Sequence, residues 1–222
     1  MQVTRPLLQQ GDAAALAHAV NVRWRPSEII RLLKSETTDV RRVAALTLGM
    51  VGNLRCVPAL TRALRDDDTQ VNEMAEHGLW SIWFRSCNTA AADPFRQGVQ
   101  ALEDERLDAA AACFERAIEL DPEFAEGYDQ LANTQYLQGV WEVSLSNYCQ
   151  ATARMPLHFG AVAGMGHVYT QLGLLPRAIQ AYRHALRLNP NMDGVRQAIA
   201  RLEPIVGENE AATPMMVGRA LD

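Results

Sequence analysis

Residues Gly127–Pro156 read GYDQLANTQYLQGVWEVSLSNYCQATARMP, and this stretch decides the fold. Moved by 34 residues in either direction, its small, aromatic and proline positions recur. Gly98, Ala132 and Gly166 form one column, Phe114, Tyr148 and Tyr182 a second, Ala117, Ala151 and Ala185 a third, and Pro122, Pro156 and Pro190 a fourth. A fixed period of this length marks a unit that cannot bury its apolar face alone and must stack on copies of itself. Small residues in the first column, and at Ala110, Ser144 and Ala178, let two helices approach closely while the aromatic column fills the space beside them. The prolines follow runs such as RAIELDP and HALRLNP, where a residue without an amide hydrogen ends one helix before the next begins. Gly139 and Gly173 mark the turn inside the second and third units. Three helical hairpins are predicted, over 91–124, 125–158 and 159–192.

The residues of these columns resemble the tetratricopeptide repeat. The resemblance implies hairpins stacked into a curved α-solenoid, with the first helix of each pair lining a concave groove. The first unit departs from the pattern, with Glu105 where the turn glycine would sit and Pro94 and Ala101 where larger side chains are usual. Its first helix is expected to pack differently, against the segment before it.

A second period lies upstream. Ile29 and Leu60, Leu33 and Leu64, Val40 and Val71, Ala44 and Ala75, and Leu48 and Leu79 are each separated by 31 residues. DVRRVAALTLGMVGNLRCVPALTRALRDDD resembles a short HEAT repeat, and TQVNEMAEHGLWSIWFR the first helix of the next. The expected class is therefore all-α: an α-solenoid of helical hairpins, with a short HEAT-like array followed by three tetratricopeptide units and a capping helix. Residues 1–26 are read as a capping or degenerate repeat helix, 27–88 as the HEAT-like repeats and 91–192 as the three tetratricopeptide units. Residues 193–206, with Val195, Ile199 and Leu202 on one side, are read as a capping helix, and 207–222 as a flexible tail.

Composition agrees with this reading. Of 222 residues, 48% are hydrophobic, enough for a core, and no stretch alternates as a half-buried strand would. No window approaches the roughly 20 apolar residues of a membrane span, and MQVTRPLLQQGDAAA lacks the pattern of a secretory signal. A cytoplasmic location is expected. Cys56, Cys87, Cys113 and Cys149 show no short paired spacing and are read as reduced packing residues. Residues 1–88 hold 11 Arg or Lys against 9 Asp or Glu, whereas the remainder holds 10 against 17. The arginines are dispersed rather than clustered, which disfavours nucleic acid as a partner.

Catalytic and metal-binding signatures are missing from the sequence. There is no phosphate-binding loop, and Gly164-Met165-Gly166 falls inside a predicted helix. The five histidines are scattered, none followed by Glu, so neither a metal site nor the His-Glu pairs of di-iron HEAT hydroxylases is expected. Neither a cofactor nor an enzymatic activity is predicted. Trp80 and Trp83 face one side of a helix and are read as filling the join between the two repeat types. Asp66-Asp67-Asp68 is read as a solvated helix cap.

A binding function is sought on the groove. In the first unit the unpaired face presents Phe95, Val99 and Leu102, in the second Asp129, Asn133, Tyr136 and Leu137, and in the third His167, Thr170 and Gln171. Such a surface suits a protein or peptide partner, with Asn133 able to bond a peptide backbone and Tyr136 a rigid anchor. Tetratricopeptide domains that grip a chaperone's C-terminal carboxylate use Lys, Arg and Asn at these positions. Phe95, Val99, Asp129, Gly160 and Gly164 stand there instead, so no carboxylate clamp is expected. The chain is read as a protein-interaction adaptor or scaffold. Two alternatives stay open: an accessory subunit of an enzyme or a cofactor-lyase-like module, since short HEAT repeats also resemble those of bilin lyases, and a nucleic-acid binder acting through Arg23, Arg25, Arg31, Arg41 and Arg42.

Overall fold

The computed structural model describes residues 23–212. Among these, all regular structure is helical: α1 (Pro26–Leu32), α2 (Thr38–Val51), a 3-10 turn (Leu54–Cys56), α3 (Val57–Ala63), α4 (Thr69–Phe84), α5 (Thr89–Glu103), α6 (Leu107–Leu120), α7 (Ala125–Leu137), α8 (Trp141–Arg154), α9 (Phe159–Gln171), α10 (Leu175–Leu188) and α11 (Asp193–Ala212). The N-terminal helix expected over 1–26 falls almost wholly outside the described residues, as does the tail from residue 213 onward. Helix α11 runs to Ala212, beyond the boundary expected at residue 206.

From α5 to α10 the helices pair as antiparallel hairpins, and each aromatic of the 34-residue column is buried in the angle of its pair. Phe114, Tyr148 and Tyr182 are all buried, as are Ala117, Ala151 and Ala185 one turn further along. The Phe114 ring lies against Gly98, and the Tyr182 ring against Gly166. Helices α6, α8 and α10 end at the same place in each unit, where the amides of Asp121, Met155 and Asn189 close the last turn onto Ala117, Ala151 and Ala185. The turn inside each pair needs one residue in the left-handed region. Gly139 (φ 78°) and Gly173 (φ 72°) supply it, and in the first unit Glu105 adopts the same conformation at φ 58°. The missing turn glycine therefore does not alter the α5–α6 hairpin, but it places a non-glycine residue where the side chain is disfavoured.

Upstream, α2 and α4 are the long helices of successive units. Two ion pairs fix their relation: the Arg41 guanidinium donates to both carboxylate oxygens of Asp66 at 2.7 and 2.8 Å, and Arg42 to both of Asp68 at 2.9 and 2.6 Å. Asp68 also caps α4 by accepting the Val71 amide. The acidic run is thus a cap, and only in part solvated, because Asp66 and Asp68 are tied to α2. Hydrogen bonding to Arg42 holds the Asp68 pKa down at about 2. At the other end, Val195, Ile199 and Leu202 of α11 cover Ile179 and Tyr182 of α10.

The two arrays share one core. Ile29, Leu48, Leu60, Leu79, Ile82 and Trp83 form a cluster that includes Phe159 at the start of α9, with Met155, Leu157, Leu188 and Met192 packed around it. Asn191 donates to the Leu64 carbonyl at 2.8 Å, and the Arg65 guanidinium reaches the Arg187 carbonyl.

Candidate functional site

The groove face is built by α5, α7 and α9, and α4 lies across it. Trp80 seats against Gly160, where a Cβ would come within 2.5 Å of the indole, so the helix fits here because residue 160 has no side chain. Trp80 also meets the Trp83 and Phe159 rings edge-on, at 5.1 and 5.4 Å between centroids. Further along, Phe84 meets Phe95 of α5 edge-on at 5.6 Å. Trp80 and Trp83 therefore do more than fill the join to the adjacent unit: they reach the third hairpin and occupy the middle of the groove.

Under Trp83 lies a buried polar cluster. His158 Nδ1 accepts the Ala161 amide at 3.0 Å, capping α9. A ring whose Nδ1 accepts carries its proton on Nε2, which donates to Glu126 Oε2 at 2.9 Å. Glu126 Oε1 accepts from Gln130 at 2.8 Å. Burial disfavours a charged imidazole, and the Asp129 and Glu126 carboxylates outweigh it and draw the pKa upward. The capping bond sets the limit, because a proton on Nδ1 would meet the Ala161 N–H head-on. Asp129 completes the cluster: burial, with Glu126 adding to it, pushes its carboxyl up to about 7 against the opposing pull of His158. Asp129 Oδ1 and Trp83 Nε1 are buried without a hydrogen-bond partner among the described residues.

Glu126, Asp129 and His158 offer ligand atoms within 4.8 Å of one another. They do not suit a cation. Nε2, the nitrogen facing the carboxylates, bears the proton and has no lone pair to give while Nδ1 holds the Ala161 amide. The arrangement is that of a structural hydrogen-bonded cluster sealed by an indole.

By crossing the groove, α4 divides it into two clefts. The larger, about 680 Å³, is lined by Tyr136, His167, Thr170, Gln171 and Tyr182, with Glu76 of α4 on one wall and Met192, Val195, Arg201 and Leu202 on the other. The smaller, about 510 Å³, is lined by Phe84, Arg85, Cys87, Phe95, Arg96 and Val99. The ten groove residues of the sequence analysis are thereby separated. Tyr136, His167, Thr170 and Gln171 come together in the larger cleft, and Phe95 and Val99 in the smaller. Phe95 is 4% exposed and Asp129 6%, so α4 and its own hairpins already cover most of both. Leu102 packs into the core of the first hairpin, Asn133 is half-buried and lines neither cleft, and Leu137 is exposed outside both. The sequence reading missed Glu76, Arg201 and Met192, which stand outside the 34-residue columns, and it read Tyr182 only as a packing aromatic of its column.

The larger cleft is ordered by side-chain bonds. Gln171 donates to the Tyr136 hydroxyl at 3.0 Å. Thr170 gives its hydroxyl proton to the Gly166 carbonyl at 2.8 Å, leaving the Tyr182 hydroxyl to donate to His167 Nδ1 at 2.8 Å. Burial lowers the His167 pKa, so the ring is neutral with its Nε2–H directed away from Tyr182. On the HEAT-like side, Arg41 and Arg42 are committed to Asp66 and Asp68 and offer little to a phosphate backbone. Among the described residues no helix is long and apolar enough to cross a membrane.

Comparison with known proteins agrees with this architecture. A family model for HEAT repeats matches residues 26–114, one for the TPR repeat residues 102–139, and one for the tetratricopeptide repeat residues 161–192. The HEAT match extends over α5 and α6, where a helical hairpin satisfies either description. Protein bimA of Emericella nidulans is 35% identical over 89 residues, 38% of this chain and 10% of that protein. A TPR repeat-containing protein of Rhizobium etli is 29% identical over 91 residues, 41% of this chain and 45% of that protein. The chain thus spans less than half the length of either curated relative. Among solved structures, the first TPR of Spaghetti (RPAP3) bound to an HSP90 peptide superposes with a TM-score of 0.53 at 18% identity, over 55% of this chain and 97% of that one. The Sgt2 TPR domain of Aspergillus fumigatus superposes with 0.53 at 16% identity, over 61% and 91%. At such identities the likeness is one of fold. Periodicity, hairpin geometry and family models agree on a helical-repeat chain in which a HEAT-repeat match over residues 26–114 is followed by tetratricopeptide-repeat matches over 102–139 and 161–192.

Proposed function

We propose that this protein is a protein-interaction adaptor that binds a peptide segment of its partner in the larger cleft, bounded by α4, α7, α9 and α11. The observation that carries this reading is the convergence of Tyr136, His167, Thr170 and Gln171 on one open cleft with apolar side chains, Met192, Val195 and Leu202, in its lining. Ligand sites have this character: concave, mostly apolar, with a few oriented polar groups. The solved neighbours include tetratricopeptide domains in complex with HSP90 and Hsp70 peptides, which supports peptide recognition by this architecture. Both repeat types act typically as interaction modules, and the chain is read as working by binding rather than catalysis.

The mechanism is presentation of a preformed surface. The Gln171–Tyr136 and Tyr182–His167 bonds fix the polar groups before a partner arrives, which reduces the entropy lost on binding. Because α4 blocks the groove between the two clefts, the partner contributes a short segment rather than one running the full length of the array. Photo-crosslinking tests this. A benzophenone side chain at position 171 should capture a polypeptide in cells that express the protein, whereas the same group at exposed position 142, outside the cleft, should not. Equal labelling from both positions would count against the cleft.

A further inference from the structure

We propose that the larger cleft selects a short extended peptide in which an apolar side chain is flanked by one basic and one acidic residue, oriented by Glu76 and Arg201. The inference rests on the peptide-binding reading above and adds the chemistry of the partner.

Glu76 and Arg201 stand on the α4 and α11 walls of one cleft. Neither takes part in an ion pair among the described residues, although nine such pairs form elsewhere. Arg201 spends only its Nε–H, on the Gln197 carbonyl at 3.3 Å, which leaves the Nη groups free for an anion. Glu76 is half-buried, so its carboxylate is less screened than one on the open surface and favours a cation beside it.

The remaining valences of the cleft match a peptide backbone. Gln171 uses its amide N–H₂ on Tyr136, so its carbonyl oxygen is left to accept a backbone N–H. His167 Nδ1 is occupied by Tyr182, so Nε2–H is left to donate to a backbone carbonyl. One acceptor and one donor on neighbouring turns of α9 suit a strand-like segment, with its apolar side chain against Met192, Val195 and Leu202 on the wall that carries Arg201. A volume of about 680 Å³ holds only a few residues. A negative group on the α4 side of the lining and a positive one on the α11 side then give the bound segment a direction, since reversing it would set like charges together.

The test is an array of acetylated peptides Gly-Gly-X-Leu-Met-Z-Gly-Gly, with X and Z each Lys, Glu or Ala, probed with the full chain. Peptides with opposite charges at X and Z should bind about fivefold or more tightly than Lys/Lys or Glu/Glu peptides, and only one of the two orders should be preferred. Arg201→Glu should shift the preference to Lys/Lys peptides, and Glu76→Arg to Glu/Glu peptides. Both substitutions lie on exposed or half-buried positions, and circular dichroism of each variant confirms folding. Equal binding of all charge combinations, lost on Tyr136→Ala, would overturn this inference and leave the peptide-binding reading standing. No peptide bound above background, with no effect of Tyr136→Ala, would overturn both.

Discussion

The Trp83 indole lies on the His158 imidazole, with ring centroids 4.1 Å apart and planes 18° from parallel. Trp83 belongs to the last helix of the HEAT-like array and His158 to the turn that opens the third tetratricopeptide hairpin. The stack covers a cluster of buried polar groups and turns two arrays into one body.

Replacing Trp83 by alanine should therefore be expensive. The side chain is 1% exposed, and truncating a buried aromatic of this size costs about 3–5 kcal/mol. Urea denaturation of the wild type should show one cooperative transition, and Trp83→Ala should lower its midpoint strongly or split it in two. A change below about 1 kcal/mol would mean that the arrays are stable independently of the stack.

The fit of Trp80 to Gly160 predicts a compensating pair. Gly160→Ala places a methyl group 2.5 Å from the indole edge, and overpacking of this kind costs about 1–3 kcal/mol. In a Trp80→Ala background the same substitution should be nearly neutral. A double-mutant cycle from thermal denaturation measures the coupling, and additive effects would show that α4 can shift away at no cost.

Asp129 makes stability depend on pH in an unusual direction. Its folded pKa, about 7, lies above the 3.8 of an unburied aspartate. Its stabilising contribution is complete below 3.8, declines as pH rises, and is lost above about 7, where an ionised carboxylate must be held in the buried cluster. Between pH 4 and pH 8 stability should fall by a few kcal/mol on this account. Asp68 acts in the opposite sense in a different window: its pKa is depressed to about 2, so its contribution is lost only as pH falls from 3.8 through 2. Asp129→Asn should flatten the decline above pH 4. A wild-type profile that rises from pH 4 to 8 would contradict the burial of Asp129.

The division of the groove separates residues that look alike in sequence. Gln171→Ala removes both a lining group and the bond that orients Tyr136, and should weaken peptide binding about five- to tenfold. Leu137→Ala, 55% exposed at the end of α7 and outside both clefts, should leave it unchanged. Isothermal titration with any peptide captured by the array decides between them, and equal losses would place the ligand elsewhere on α7.

Much of this architecture could be read from the chain because repeats record their own packing. Gly98, Ala132 and Gly166, the aromatics beside them and the three prolines each describe a contact inside a hairpin or with the next one, so spacing alone reveals them. Glu105 shows the limit of that reading: the sequence suggested an altered first unit, yet the backbone tolerates a left-handed glutamate and keeps the turn. Of the expected groove positions, Tyr136, His167, Thr170 and Gln171 line one cleft and Phe95 and Val99 another, whereas Leu102 packs inward and Leu137 lies outside both. That division into two clefts was not legible in the sequence.

What the sequence determined by itself was the hairpin, its period and the order of the two repeat types, all consequences of local helix formation and nearest-neighbour stacking. What only the tertiary structure decided was the path of α4 across α5, α7 and α9. That path stacks Trp83 on His158 and sets Glu76 in the same cleft lining as Arg201, while Asn191 bonds the Leu64 carbonyl beside it. The physical reason is that periodicity encodes contacts between successive units, whereas the curvature that brings the first array onto the third hairpin is the accumulated sum of small rotations between units. No single residue specifies that sum. Only when it is complete are Trp83, Asp129 and His158 buried together in one interior.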